Sequence, residues 1–224
     1  MVSVVIAGGG RGSRMGGLPK AFMKLGGREL IYYSLDIFRD VADETVIVLP
    51  VEEIPFWEKK LRRKYKGLKF AAGGEYRQDS VKNALDIMPD SKGLVLVHDV
   101  ARPFLEKKVL DCILEGAEKY GACIPCIEAR DTVKEVDGGF VKSTPERKNI
   151  VQVQTPQAFR ADILRAAYAM AYKDDFYGSD DSALVERLGV KVYLVRGGQD
   201  NIKITYPADV KLAKTILKKW KTAE

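Results

Sequence analysis

Histidine occurs once in the 224 residues, and cysteine three times, at Cys112, Cys123 and Cys126. Three clustered thiols are too few for a disulfide framework and fit a reducing compartment. Cys123 and Cys126 do form a C-x-x-C, but inside a run that reads as a strand. Residues three apart on a strand point to opposite faces, and Cys112 and His98 alone would have to complete a zinc set, so core cysteines are the favoured reading. No stretch approaches the roughly 18–20 consecutive apolar residues of a membrane span, and no basic region precedes the first apolar run. A soluble, cytoplasmic chain with no membrane partner is expected. Internal repeats, low-complexity tracts and linkers are also missing. With 46% hydrophobic residues, the length suits one sizeable core, hence one domain over residues 1–224.

Two well-known phosphate-binding loops are absent as well. The dinucleotide fingerprint G-x-G-x-x-G fails, because Gly8-x-Gly10 is followed by Ser13 where the third glycine belongs, and no acid ends the second strand at Leu49-Pro50-Val51. A P-loop fails because Lys20 stands between Pro19 and Ala21. The charge balance is basic, 37 Lys and Arg against 31 Asp and Glu, which favours anionic partners. The densest cationic run, Lys59 to Lys66, reads as a solvated helix face. Aromatic residues are not interleaved with the cations as a nucleic-acid stacking surface requires, so no nucleic-acid partner is expected.

Short β-branched runs recur at Val2–Ile6, Thr45–Leu49, Leu68–Ala71, Leu94–Val97, Cys123–Ile127 and Val190–Val195. Between them lie apolar stripes at helical spacing: Leu30, Tyr33, Ile37 and Val41; Val81, Ala84, Leu85 and Met88; Val109, Leu110, Ile113, Leu114 and Ala117. The alternation predicts an α/β, Rossmann-like fold with a mostly parallel sheet and helices on both faces. Residues 131–154 break the rhythm, alternating on either side of Asp137-Gly138-Gly139, and read as a projecting β-hairpin arm that covers a site or clasps a partner subunit. Pro207 to Trp220 reads as a closing helix with proline near its first turn.

In such a sheet ligands bind beyond the carboxyl ends of the strands, so the loop directly after the first strand is placed for phosphates. It reads Gly8-Gly9-Gly10-x-Gly12-x-Arg14-Met15, with Pro19-Lys20 on its far side. Glycines let backbone N–H groups approach an anion, and Arg14 and Lys20 supply two positive charges to a triphosphate. Glycine clusters also mark plain turns; the added cations weigh against that.

"GGGRGSRMGGLPK" resembles the signature loop of sugar-phosphate nucleotidyltransferases. Together with "HDVARP" (98–103), "RDTVK" (130–134), "QTPQAF" (154–159) and "DNIKIT" (200–205), in that order, the chain resembles the 2-C-methyl-D-erythritol 4-phosphate cytidylyltransferase family over nearly its whole length. The resemblance implies attack by a sugar-phosphate oxygen on the α-phosphorus of CTP, with pyrophosphate leaving and Mg²⁺ as cofactor. It assigns Arg14, Lys20 and Lys203 to catalysis. Gly8, Gly9, Gly10, Gly12, Gly74, Arg77, Ser80, Asp99, Ala101 and Arg102 are implied to bind the nucleotide, with Asp99 holding the metal. Ser80 and its neighbour Asp79 also read as helix caps. The polyol phosphate falls to Arg147, Thr155, Ser179 and Asp180, with Lys148 as a neighbour able to share the work of Arg147. The arm implies a homodimer that Arg147 reaches across.

His98, a lone histidine at a strand end, reads as packed or hydrogen-bonded rather than catalytic. Asp209 reads as an acid near a helix N-terminus more readily than as a second metal contact. The chain departs from the family pattern at Gly8-Gly9-Gly10, where Ala-Ala-Gly is common, and in a gap between Arg14 and Pro19 that is one residue short. Ribitol 5-phosphate cytidylyltransferases share the loop and much of the motif set. A non-enzymatic nucleotide- or nucleic-acid-binding domain is the reading from another class.

Overall fold

The structure, a computed structural model, describes residues 1–10, 19–89 and 92–222. Along the described chain run β1 (Val2–Ala7), β2 (Lys24–Leu25), β3 (Arg28–Glu29), α1 (Leu30–Phe38), β4 (Glu44–Leu49), α2 (Ile54–Leu61) and β5 (Leu68–Ala72). There follow α3 (Arg77–Ile87), β6 (Leu94–Asp99), α4 (Lys107–Tyr120), β7 (Ala122–Glu128), β8 (Glu135–Asp137), β9 (Phe140–Ser143) and β10 (Val151–Val153). The chain continues through β11 (Gln157–Arg160), α5 (Ala161–Lys173), α6 (Asp181–Arg187), β12 (Tyr193–Arg196) and α7 (Pro207–Lys221). No helix among the described residues is long and apolar enough to cross a membrane.

One eight-stranded sheet organises the molecule, in the order β10-β7-β11-β6-β1-β4-β5, with β12 also paired to β7. Its heart is parallel: β1 pairs with β4 and β6, and β4 with β5. Strands buried on both faces read as continuous apolar runs, and Val4-Val5-Ile6, Val46 to Leu49 and Leu94 to Val97 are all buried. Alternate residues feed opposite cores. Val4, Ile6, Ile47 and Leu49 meet α1, α2 and α4 through Leu35, Phe38, Leu61 and Ile113. Val5, Val46, Val48 and Val97 meet α3 and α5 through Val81, Leu85, Leu164 and Tyr168. A smaller cluster of Leu25, Leu30, Phe104, Ile204, Ala213 and Ile216 fastens α7 over the first hairpin. The fold is therefore the α/β, Rossmann-like, mostly parallel arrangement expected, with helices on both faces.

Two local expectations change, and one strand appears that the sequence did not announce. Within the segment read as an arm, only β8 and β9 make the hairpin, turning at Gly138 and Gly139, whose φ values of 54° and 86° suit glycine. Val151–Val153 instead joins the main sheet, antiparallel to Cys126–Glu128. The run at Val190–Val195 becomes a strand only from Tyr193, in parallel register with Cys123–Cys126. Gln157–Arg160 has no strand pattern of its own, yet it forms an antiparallel strand bonded to both β6 and β7. Two open neighbouring edges supply its hydrogen bonds, and that supply outweighs local propensity.

Candidate active site

Four segments meet at the carboxyl ends of the parallel strands and enclose a cavity of about 300 Å³. The loop after β1 contributes Gly8, Gly9 and Gly10; the loop after β5 and the start of α3 contribute Gly74, Arg77 and Ser80. The turn after β6 brings Asp99 and Ala101, and the segment before α7 brings Lys203. Lys20 completes the wall. It opens a short turn over Lys20–Phe22, which buried Ala21 and the stacking of Phe22 on Trp57, at 4.3 Å, fasten to the core. Gly12 and Arg14 lie outside the described residues.

The two glycine loops touch. A Cβ on Gly9 would lie 2.8 Å from Gly73 Cα, so the departure from Ala-Ala-Gly allows a closer approach of the loops than alanine would. Ser80 is spent on loop geometry: its hydroxyl accepts from the Gly74 N–H at 3.0 Å and donates to the Tyr76 carbonyl at 3.1 Å. Asp79 caps α3 through the Tyr76 N–H at 2.9 Å.

Charge converges on Asp99. Arg77 Nε donates to Asp99 Oδ1 at 3.1 Å, and Lys203 Nζ lies 2.6 Å from Asp99 Oδ2. Burial alone would push the Asp99 carboxyl up, but Arg77, then Lys203 and Arg102, outweigh it and hold it far below the usual carboxylate range. Burial likewise works against the Arg77 charge, and the carboxylates of Asp181 and Asp99 reverse it, so the guanidinium is held more firmly charged than usual. Lys203 is placed by the backbone: the Ile204 N–H donates to the Ala101 carbonyl at 2.9 Å, tying this segment to the Asp99 turn.

His98 is fully buried and hydrogen-bonded at both nitrogens. Nε2 meets the Arg102 carbonyl at 3.0 Å and must donate; Nδ1 therefore accepts from the Thr155 hydroxyl, 3.3 Å away. Burial, only partly opposed by Asp99, pushes the imidazole down to about 4, so it is neutral near pH 7. This is the packed histidine the sequence favoured. Thr155 Oγ1 also accepts from the Asp99 N–H at 3.1 Å, so the hydroxyl pins the Asp99 turn from behind the cavity wall.

Arg102 turns from the cavity, with Nη1 donating to the Asn201 carbonyl at 2.8 Å and Nη2 to that of Val153 at 3.4 Å. Arg147 is exposed on the arm side and donates to the Arg130 carbonyl at 3.1 Å, while Lys148 is paired with Glu146 at 2.8 Å. Asp180 caps α6 through the Ala183 N–H at 3.0 Å and accepts from Gln157 at 2.6 Å. Ser179 and Asp180 share a small crevice with Arg77, next to the main cavity. Asp209 accepts from the Thr205 and Tyr206 N–H groups, both at 2.8 Å, which is a helix cap. Cys123 is buried, its thiol pushed up to about 12 by that burial, and among the described residues no three His, Cys, Asp or Glu side chains gather as a metal cage.

Asp181, fully buried and 2.8 Å from Arg77, went unread in the sequence. The signal was the Asp doublet in "GSDDSA": one acid caps the helix and leaves the other without a local task. Tyr76, on the cavity rim, carried no signal at all.

Residues 2–219 match the sequence profile of the family IspD: 2-C-methyl-D-erythritol 4-phosphate cytidylyltransferase. The enzyme of that name from Clostridioides difficile is 39% identical, with 100% of this chain and 97% of that one aligned. The Bacillus mycoides enzyme is 42% identical over 97% and 98% of the two chains. Among solved structures, 2-C-methyl-D-erythritol 4-phosphate cytidylyltransferase from Thermus thermophilus superposes with a TM-score of 0.82 at 38% identity, covering 96% and 98%. The 4-diphosphocytidyl-2C-methyl-D-erythritol synthase of Anaerococcus prevotii reaches 0.87 at 29% identity, covering 97% and 96%. On the match of residues 2–219 and the similarity of whole chains, the chain belongs to the 2-C-methyl-D-erythritol 4-phosphate cytidylyltransferase family.

Proposed function

We propose a division of labour for this cavity. The chain is a cytidylyltransferase of the non-mevalonate route to isoprenoids: it transfers CMP from CTP to 2-C-methyl-D-erythritol 4-phosphate and releases pyrophosphate. A phosphate oxygen of the polyol attacks the α-phosphorus; the new P–O bond forms as the bond from the α-phosphorus to the bridging oxygen of pyrophosphate breaks. Two anions must approach, so positive charge and positioning matter more than proton transfer.

The glycine loop, with Gly8, Gly9, Gly10 and Gly12, and the cations Arg14 and Lys20 hold the triphosphate on one side. Lys203 meets the α-phosphate from the other. Gly74, Arg77 and Ser80 shape the cytosine end, and Ala101 and Arg102 set the turn beside it. The observation that carries this reading is the convergence of Lys20, Lys203, Arg77 and Asp99 from separate segments of the chain on one cavity. Asp99 suits Mg²⁺, which is commonly held by one or two carboxylates plus substrate phosphates and water and needs no cage of protein ligands. When bound, Mg²⁺ supplies charge neutralisation on phosphate oxygens.

The polyol phosphate belongs on the side of Thr155, Ser179 and Asp180. The hairpin exposes Val136, Phe140 and Val141, which supports a homodimer through the arm, with Arg147 of one protomer reaching its partner's site. The one nucleotidyltransferase domain then carries the arm as an appendage. Pyrophosphate release from CTP and Mg²⁺, measured in parallel with methylerythritol 4-phosphate and with ribitol 5-phosphate, tests the reading. Release with the first alone is expected; release with ribitol phosphate alone would overturn the substrate.

A further inference from the structure

Arg77 stands between two carboxylates from different elements. Nε donates to Asp99 at 3.1 Å, and Nη1 lies 2.8 Å from Asp181 Oδ2, which has no directed hydrogen bond. The larger part of what Asp181 contributes toward Arg77 is charge. Its other oxygen accepts from the Tyr168 hydroxyl at 2.6 Å, and its side chain is wholly out of water. A buried carboxylate is costly, and α6 does not need this one as its cap, because Asp180 already accepts from the Ala183 N–H. At the far end Lys203 completes a row of alternating sign: Lys203, Asp99, Arg77, Asp181.

Two cations and two anions leave this row neutral. When Lys203 turns to a phosphate, Asp99 keeps only Arg77. Were Arg77 undivided, the two would cancel and no net negative charge would face the nucleotide's divalent cation. With Asp181 present, Asp99, Arg77 and Asp181 together carry one negative charge. We propose that Asp181 is a positioning residue for the transferase reaction: by sharing the Arg77 guanidinium it leaves a net negative charge around Asp99 toward the metal once Lys203 has left for the phosphate. The proposal rests on the reading of Asp99 as the metal-holding carboxylate and Lys203 as a phosphate ligand.

The test is Asp181→Asn, which keeps the volume and can direct its carbonyl to Arg77 and its amide to the Tyr168 oxygen. Two quantities are read: CTP affinity by calorimetry in chelator without metal, and the Mg²⁺ concentration giving half-maximal turnover. Removing one negative charge should tighten metal-free CTP several-fold and raise the Mg²⁺ requirement roughly tenfold, the scale of one uncompensated charge in a partly solvated site. Asp181→Glu, which restores the charge, should return both toward the starting values. Arg77→Gln removes the shared cation and should lower the Mg²⁺ requirement, a second test that stands even if Asp181→Asn does not fold. Loosened packing would weaken CTP binding and leave the Mg²⁺ requirement alone, and that pattern in Asp181→Asn would overturn the proposal. Asp99→Asn separates the two layers of argument. A raised requirement there with none in Asp181→Asn overturns the role of Asp181 alone; an unchanged requirement in both overturns the reading of Asp99 as well.

Discussion

Gly73→Ala probes the contact between the two glycine loops beside the cavity proposed to hold the nucleotide. A Cβ at this position would lie 2.9 Å from both Gly9 Cα and Gly9 O and 3.3 Å from the Gly9 carbonyl carbon. Carbon atoms pack at about 3.5–4.0 Å, so the loops must part by roughly 0.5–1 Å. Neither withdraws easily: the Gly73 N–H donates to the Leu49 carbonyl at 2.8 Å, and the Gly8 N–H to that of Val48 at 3.0 Å, so both are fastened to the end of β4. Every obstructing atom is backbone, and no side chain can rotate away. Overpacking of this kind costs about 1–3 kcal/mol. In a chain of this size that corresponds to a melting temperature lower by about 2–12 °C, at roughly 2–4 °C per kcal/mol. The larger effect falls on binding, since an ångström of misplacement at a site can cost on the order of a hundredfold. Thermal melting and calorimetric titration with CTP measure the two. Gly73 has no positive φ, so backbone strain does not confound the outcome. An unchanged melting temperature with unchanged CTP affinity would refute the loop-contact argument.

Lys203→Ala is expected to lower kcat/KM by about 10²–10³-fold with the fold intact, as for loss of one transition-state charge contact; near-normal steady-state turnover would contradict its role. Arg147→Ala should raise KM for the polyol phosphate roughly tenfold or more while calorimetric CTP affinity holds, because it removes one charge-assisted contact. Phe140, 81% exposed at the hairpin tip, gives Phe140→Asp as a test of assembly: sedimentation should shift toward the monomer. Asp36 carries the pH prediction. Burial would raise its carboxyl, but the Tyr65 hydroxyl, donating at 2.7 Å, and the Arg28 guanidinium hold it below the usual carboxylate range. A carboxylate depressed in the folded state stabilises above its unfolded value, near pH 4, and loses that contribution as pH falls through the folded value. Asp36→Asn should therefore melt lower than the parent at pH 7, with the gap closing below about pH 4 in a series of thermal melts.

The cavity was legible because a parallel sheet collects strand ends. Once β1, β5 and β6 are recognised from their apolar runs, Gly8, Gly74 and Asp99 follow at their carboxyl ends and must lie near one another. The closing helix and the packed His98 were legible for equally local reasons, a proline at the first turn and a single imidazole at a strand end. Thr155 shows the limit. Its motif gives no sign that its hydroxyl lies between the Asp99 N–H and His98, a position set by β11 entering the sheet beside β6. The strand character of Gln157–Arg160 and of Val151–Val153 came from neighbouring edges with unmet hydrogen bonds, which no short window of sequence contains.

By itself the sequence determined the alternation of strands and helices, the loops that follow the strands, and the family, since periodicity and spacing are properties of neighbouring residues. Tertiary structure alone decided which charges meet. Arg77 and Asp181 belong to helices far apart in the chain, and the meeting of Arg77 with both Asp99 and Asp181 exists only because α3 and α6 converge where β6 ends. Burial then determines what those charges are worth, because removing water is what makes one carboxylate costly alone and stable beside a guanidinium.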